Sequence, residues 1–353
     1  MQYEYYLQFE NLIKTLLNNF SFNITDEKAI EPDPLRYQPD ILARKNNLTI
    51  LLEVKFYRSK QVDLSLLEAA AARLLRYAPN NLTKHVLVVS NYISNKFKEH
   101  FLNVFNIIVW DRSNIVNFFK SIGGDQHLES FRQLLTNTQQ GTNTENPFDD
   151  IEPTEKIPEK YFSFNSSSSF KELKIATQGS FLVKKLNNIP RGKKGWSAFE
   201  STSETILKYL FGSNLAVWQK QKRTDDELSR FDMICRIVPQ DDFWKTIVNS
   251  FNSRYILFEY KNYSTSLPQS QIYSTERYLF PKALRSVAFI LCRITPSSHA
   301  ITAAKGALRE HGKLILLLDD TDIKTMLENR DQGISPNDYL SDKLDEFLMS
   351  LSR

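Results

Sequence analysis

Two tripeptides in this 353-residue chain place an acid and a lysine at the end of an apolar run. Glu53-Val54-Lys55 closes residues 48–52, and Glu259-Tyr260-Lys261 closes residues 255–258. Side chains alternate across a strand, so in each tripeptide the Glu and Lys share one face and the middle residue points to the other. A charged pair on one face of a buried strand is costly unless it is paired or binds an ion. An aspartate precedes each tripeptide: Asp40, thirteen residues before Glu53, and Asp232, twenty-seven before Glu259. If that Asp lies on the neighbouring strand, a two-carboxylate pocket results. Two hard carboxylates with water and a phosphate oxygen suit Mg²⁺, with Mn²⁺ as a substitute. Such an ion polarises a phosphate and lowers the pKa of a bound water, while the Lys holds the water or offsets charge developing at phosphorus.

Acid-x-Lys also occurs at Asp26-Glu27-Lys28, Glu172-Leu173-Lys174 and Asp322-Ile323-Lys324, which shows how little the tripeptide means alone. Context separates the two candidates from these, because only Glu53 and Glu259 end a run of strand formers and follow an Asp borne by an earlier strand.

The elements that must position these residues repeat along the chain. Phe9, Leu12, Ile13, Leu16 and Phe20 recur at helical spacing, predicting a helix over 3–19. Strands follow at 20–30, 37–45 and 48–56, then a helix at 64–77 stopped by Pro79, a strand at 85–90, a helix at 94–103, a strand at 106–110 and a helix through Phe119. In the second half Ser197 with Glu200 resembles a capping box opening a helix that ends near Gly212. Strands at 214–221, 230–238 and 255–258, a helix at 268–280, a strand at 286–293, a helix at 297–311, a strand at 313–318 and a helix at 321–329 repeat the first order. The second half inserts residues 241–253 between its Asp strand and its Glu strand, and 335–353 reads as a last amphipathic helix. The expected domains are therefore 1–135 and 172–353. Between them, 136–171 is a linker, polar and Pro- and Ser-containing, too poor in apolar area to offset its ordering entropy.

These phrases resemble the PD-(D/E)xK nuclease superfamily and, within it, Mrr-type restriction endonucleases. The first half carries Pro39-Asp40-Ile41, Leu51-Leu52-Glu53-Val54-Lys55 and Ile107-Ile108-Val109-Trp110-Asp111. The second carries Arg230-Phe231-Asp232, Phe258-Glu259-Tyr260-Lys261-Asn262-Tyr263 and Leu316-Leu317-Leu318-Asp319-Asp320. The resemblance spans 1–120 and 195–330. It implies an α/β architecture of two restriction-endonuclease-like domains, each a mixed sheet of four to five strands flanked by helices. It also implies catalytic sets Asp40, Glu53, Lys55 and Asp232, Glu259, Lys261, with Asp40, Glu53, Asp232 and Glu259 as metal ligands. A Glu from the first helix often joins such sites, and Glu10 and Glu200 hold matching places against a plain reading as solvent-facing helix residues. Gln271 fits a Gln found in the helix after the Lys, against a plain surface position; the first half offers Gln61 or Glu68.

The implied activity is Mg²⁺-dependent hydrolysis of DNA phosphodiester bonds in prokaryotic restriction or anti-phage defence, with DNA and other defence subunits as partners and a homodimer as one possible assembly. Two rivals stand beside it: a silent nuclease-fold scaffold that binds nucleic acid or protein, and a resolvase- or repair-type nuclease for branched DNA. Whether both halves work, or one is silent, is open at this stage.

Composition sets bounds on this reading. The chain is 41% hydrophobic and 24% charged, with a formal charge of +4, a balance that neither proves nor opposes a nucleic-acid partner. Lys193, Lys194, Lys220, Lys222 and Arg223 form a basic group near the second core, either a solvated face or a set of phosphate contacts. Tyr3, Tyr5 and Tyr6 read as packing for the first helix rather than as base-stacking groups. Cys235 and Cys292 lie in apolar runs and read as reduced core residues. The scattered His and the lack of a Gly-rich phosphate loop, a G-x-S-x-G elbow or H-E-x-x-H argue against zinc proteases, nucleotide hydrolases and serine hydrolases. With no long apolar run and no leader pattern, a cytoplasmic protein without a membrane partner is expected.

Overall fold

A computed structural model describes residues 2–25, 38–59, 62–76, 83–138, 162, 177–220 and 231–351. The chain divides into two compact units, Met1–Ala176 with Gln332–Ile334 and Thr177–Asp331 with Ser335–Arg353.

In the N-terminal unit the elements are α1 (Gln2–Asn19), β1 (Asn23–Thr25), β2 (Ile41–Lys45), β3 (Leu48–Lys55), α2 (Leu64–Leu74), β4 (Thr83–Val89), α3 (Asn95–Phe105), β5 (Ile107–Trp110), α4 (Arg112–Ser121) and α5 (Asp125–Thr138). The sheet order is β1-β2-β3-β4-β5, antiparallel as far as β3 and parallel from β3 to β5. Alternation along β3 sends Ile50, Leu52 and Val54 into a core with Phe9, Ile13 and Leu16 of α1 and Phe118 and Phe131 of α4 and α5. Leu51 points the other way, against Leu66 and Leu67 of α2 and Phe101 of α3. Glu53 and Lys55 follow Leu51 onto that second face.

The C-terminal unit contains α6 (Gln178–Asn187), α7 (Trp196–Phe211), β6 (Leu215–Lys220), β7 (Met233–Ile237), α8 (Asp242–Ser250), β8 (Tyr255–Lys261), α9 (Gln269–Tyr278), β9 (Val287–Cys292), α10 (Ser298–His311), β10 (Leu314–Leu318), α11 (Asp320–Asp331) and α12 (Pro336–Met349). Its sheet order is β10-β9-β8-β7-β6, with β6 to β8 antiparallel and β8 to β10 parallel. Ile256, Phe258 and Tyr260 pack with Phe199 and Ile206 of α7. Leu257 packs with Ile272 of α9 and Ala300 and Ala304 of α10. The architecture is thus α/β with two five-stranded mixed sheets flanked by helices, as expected, and both sheets share one order and one set of strand directions.

Hairpin geometry sets the register. Lys45 pairs Leu48 across the two-residue turn Asn46-Asn47, and Asn46 adopts φ 51°, a left-handed conformation that Asn tolerates better than most residues. That turn fixes Ile41 opposite Leu52. The second hairpin has no tight turn, since α8 is inserted between its strands, yet Met233 pairs Phe258 in the corresponding register. The inserted residues extend the far end of the hairpin and leave the Asp end unchanged.

Asp241 caps α8, accepting from Trp244 N at 3.1 Å and from Asn214 Nδ2 at 2.9 Å, with Asn337 Nδ2 also on its carboxylate. Burial outweighs these donors and pushes its pKa up to about 6. Between about pH 4 and 6 the folded chain therefore keeps a proton that the unfolded chain has released, and this residue's contribution to stability falls as pH rises. Relative to Asp241→Asn, the wild-type unfolding free energy should drop by up to about 3 kcal/mol from pH 4 to 7. Urea denaturation of both proteins across that range checks it, and a constant difference refutes it.

Several boundaries differ from expectation. The strand expected at 20–30 is Asn23–Thr25; residues 20–22 form the turn after α1, and 26–30 lie outside the described residues. Helices α5, α6 and α8 were not anticipated, and α5 runs past residue 135, where the linker was expected to begin. The rest of that expected linker lies outside the described residues, apart from Phe162. The capping box at Ser197 does not form. The 3-10 turn Lys193–Gly195 runs directly into α7, Gly195 is the N-cap, and Ser197 sits inside the helix. Cys235 and Cys292 are free and buried. Among the described residues no helix is long and apolar enough to cross a membrane.

Candidate active sites

One step beyond the Ile41–Leu52 pair, Asp40 stands opposite Glu53, and one step beyond Met233–Phe258, Asp232 stands opposite Glu259. Asp40 Oδ2 accepts from Val54 N at 2.8 Å, and Asp232 Oδ2 accepts from Tyr260 N at 2.9 Å. In each unit, then, the aspartate is clamped by the backbone of the middle residue of the tripeptide. Lys55 Nζ lies 2.5 Å from Glu53 Oε1 and 3.6 Å from Asp40 Oδ2. Lys261 Nζ lies 2.8 Å from Glu259 Oε2 and 3.9 Å from Asp232 Oδ2. The structure therefore brings both expected triplets together with the same connectivity.

Their surroundings differ. Glu53 is fully buried, and Arg73 from the last turn of α2 brings its Nε to 3.5 Å from Glu53 Oε1. The Tyr6 hydroxyl of α1 lies 2.7 Å from Asp40 Oδ2 and 2.6 Å from the Val54 carbonyl, so its single proton serves one of the two. Lys55 Nζ sits 5.7 Å from the centre of the Tyr6 ring. In the C-terminal unit Glu259 Oε1 is buried and has no hydrogen-bond donor among the described residues. Matching Phe199-Glu200 to Phe9-Glu10 puts Trp196 where Tyr6 stands, and Trp196 is 36% exposed.

The electrostatics follow from burial. Desolvation raises the Glu53 pKa and Asp40 adds to the rise, against the opposing pull of Lys55 and Arg73. Burial pushes Glu259 up to about 7, with Lys261 opposing and Asp232 reinforcing the shift. Burial alone would lower both lysines, but Asp40 with Glu53, and Glu259 with Asp232, outweigh it and hold them above their ordinary values. Burial, then Asp40 and Glu53, raise the Tyr6 hydroxyl pKa far enough to keep it neutral and available as a donor.

The accessory residues occupy other ground. Glu10 lies buried on α1, which covers the Val54 face, and pairs with Lys14 Nζ at 3.0 Å. Glu200 is half-buried on α7, the corresponding helix, and its charge helps to raise the Tyr260 hydroxyl pKa. Gln271 is half-buried in the first turn of α9, with no hydrogen bond to Glu259 or Lys261 among the described residues. Lys220 pairs with Glu204, while Lys222, Arg223 and Gln61 lie outside the described residues. Sequence reasoning missed Tyr6 and Arg73. Tyr6 stands four residues before Glu10, on the same helix face, and that spacing was the available signal. Arg73 had none, because only the fold brings the end of α2 over β3.

Asn262, next after Lys261, ties down the turn that precedes α7. Its Nδ2 donates to Pro190 O at 3.0 Å and Gly192 O at 2.8 Å, while Arg293 Nη1 donates to its Oδ1 at 2.8 Å. Exposed Lys193 and Lys194 follow in that turn. A Cβ on Gly195 would meet Pro190 O at 1.8 Å, so the tight approach needs glycine. Gly195→Ala is expected to lower the thermal midpoint of the chain and weaken any binding of polyanions beside the second triplet. An unchanged melting curve counts against this role. Elsewhere in the unit a cleft of about 460 Å³ is lined by Arg236, Val238, Pro239 and Leu284 at the opposite end of the hairpin and holds none of the triplet residues.

Among the described residues no group of three or more His, Cys, Asp or Glu is placed to hold a metal by itself. Two carboxylates with an unpartnered buried oxygen do fit a Mg²⁺ ion that keeps several waters and takes a substrate oxygen. Asp232 and Glu259 satisfy that description.

The class defined by fold and site is an α/β protein with two five-stranded mixed sheets, each bearing an Asp, Glu and Lys cluster. No family model matches the chain. An Escherichia coli (strain K12) protein described as "Putative transposon gamma-delta 80.3 kDa protein" is 26% identical over 185 residues, which is 50% of this chain and 25% of that relative. The chain thus spans about a quarter of that relative's length. A solved structure of restriction endonuclease FokI superposes at TM-score 0.29 with 12% identity, over 62% of this chain and 41% of that one, too loosely to define a shared fold.

Proposed function

We propose that this chain is a Mg²⁺-dependent nuclease that hydrolyses phosphodiester bonds of DNA. The observation that carries the reading is the repeated geometry. In two sheets of the same topology an Asp is clamped by the middle N–H of a Glu-x-Lys strand, at 2.8 and 2.9 Å, with the Lys between both carboxylates. Asp232 and Glu259 would hold the ion, which supplies charge to the scissile phosphate and acidifies a water. The chain's own groups do the rest. The Tyr260 N–H fixes the Asp232 carboxylate, so its orientation needs no reorganisation when substrate arrives. Lys261 stands as a fixed ammonium beside both carboxylates, where it orients the attacking water and offsets charge on the phosphate oxygens. Exposed Lys193 and Lys194 meet the flanking backbone phosphates. As water adds to phosphorus and gives up a proton to solvent, the bond to the leaving oxygen breaks and that oxygen takes up a proton from solvent.

Supercoiled plasmid incubated with the full chain and Mg²⁺ or Mn²⁺ should be nicked or linearised, and chelation should stop it. Intact plasmid under both ions removes the nuclease reading and leaves the scaffold. Faster cutting of four-way junctions than of linear duplex moves the assignment to a branched-DNA nuclease. We further propose that the activity serves restriction of invading DNA alongside partner subunits, a reading supported by the resemblance of both triplets to restriction endonucleases; phage protection by wild-type cells, lost on Lys261→Ala, is its test.

A further inference from the structure

The two clusters share a geometry but not a charge balance. Among the described ion pairs, Asp40 and Glu53 face two cations, Lys55 and Arg73, and these four charges sum to zero. Asp232 and Glu259 face one cation in their ion pairs among the described residues, Lys261, and the sum is −1. Asp40 Oδ2 has the Val54 N–H and the Tyr6 hydroxyl beside it, while Glu53 Oε1 has Lys55 Nζ at 2.5 Å and the charged Arg73 guanidinium at 3.5 Å, a charge contact in which Nε makes no hydrogen bond among the described residues. In the second pair Glu259 Oε1 has no donor among the described residues, although its side chain is 4% exposed.

A buried carboxylate oxygen without a donor has lost its water without replacement, a cost that a bound cation removes. Access differs in the same direction. Side-chain exposure is 16% for Asp40 and 4% for Lys55, against 21% for Asp232 and 12% for Lys261. The helix corresponding to α2 is α9, whose Arg277 is exposed, so among the described residues no guanidinium of that helix takes the place of Arg73.

We infer that the C-terminal cluster alone takes a divalent cation, and that Arg73 and Tyr6 fill the corresponding place in the N-terminal cluster, making it a closed ion-pair centre. The assignment of DNA cutting to the C-terminal cluster rests on the nuclease reading; the metal stoichiometry does not. Arg73 substitutes a fixed charge for an exchangeable one, so the N-terminal unit keeps the hairpin geometry while giving up the ion.

The test is Mn²⁺ binding to the full chain, followed by calorimetry and by electron paramagnetic resonance of free Mn²⁺, with circular dichroism confirming the fold of each variant. Wild type should bind one equivalent. Asp232→Asn should lose it, Asp40→Asn should keep it, and Arg73→Gln should raise the count to two. Two equivalents in wild type, loss of binding in Asp40→Asn alone, or a folded Arg73→Gln that stays at one equivalent would each overturn the inference. One equivalent lost in Asp232→Asn without any plasmid cleavage would sink the nuclease reading and keep this assignment. Cleavage with two equivalents bound would do the reverse.

Discussion

Lys261→Ala should lower plasmid cleavage by about 10²- to 10³-fold, the loss that follows removal of one preorganised charge-stabilising donor. Lys261 Nζ stands 2.8 Å from Glu259 and 3.9 Å from Asp232, so it is placed before substrate arrives and spends no reorganisation on the reaction. Its removal also leaves two carboxylates facing each other without a cation. Divalent-ion affinity should therefore rise or hold while the rate falls, which separates a lost catalytic ammonium from a lost metal site. Lys55→Ala, by contrast, should leave the cutting rate nearly unchanged, and the double variant should behave as Lys261→Ala. Kinetics of supercoiled, nicked and linear forms decide the matter. If each single variant nicks but fails to linearise, the two units cut one strand each and the asymmetry is wrong.

The largest effect on stability is expected from Glu53→Ala. Glu53 is fully buried, and its carboxylate meets both Lys55, itself 4% exposed, and Arg73. Deleting it leaves a buried ammonium with Asp40 at 3.6 Å as its nearest remaining carboxylate. Breaking a buried pair from one side costs about 3–5 kcal/mol, a large share of the 5–15 kcal/mol typical of a whole domain. Glu259→Ala should cost less, because it removes an oxygen that has no donor among the described residues and leaves a lysine with better access to water. Hydrogen exchange read separately on residues 83–110 and 255–292 reports each unit on its own. Equal losses of protection in the two variants would show that the N-terminal cluster carries no extra structural load.

The triplets and the strands that bear them follow from residue order alone. Alternation places Glu53 with Lys55 and Glu259 with Lys261 on one strand face, and that period needs no tertiary information. The apolar runs ending at those residues made β3 and β8 legible for the same reason, and the repeated element order made two mixed sheets the natural expectation. Helix α5 was legible as well, since Leu128, Phe131, Leu134 and Leu135 keep helical spacing, and Phe131 stacks on Phe9 at 5.5 Å. It was overlooked because a polar composition begins close behind it.

The surroundings of the triplets come from packing between elements distant in the chain. Thirteen residues separate Asp40 from Glu53 and twenty-seven separate Asp232 from Glu259, yet the two registers correspond, because α8 extends the far end of its hairpin. Arg73 and Tyr6 lie far from Glu53 and Asp40 along the chain and reach them because α2 and α1 pack on opposite faces of β3. Linear spacing records which side chains share a strand or a helix face. It does not record which helix end lies over a strand, and here that placement decides whether a carboxylate pair meets an arginine or is left with an unpartnered oxygen.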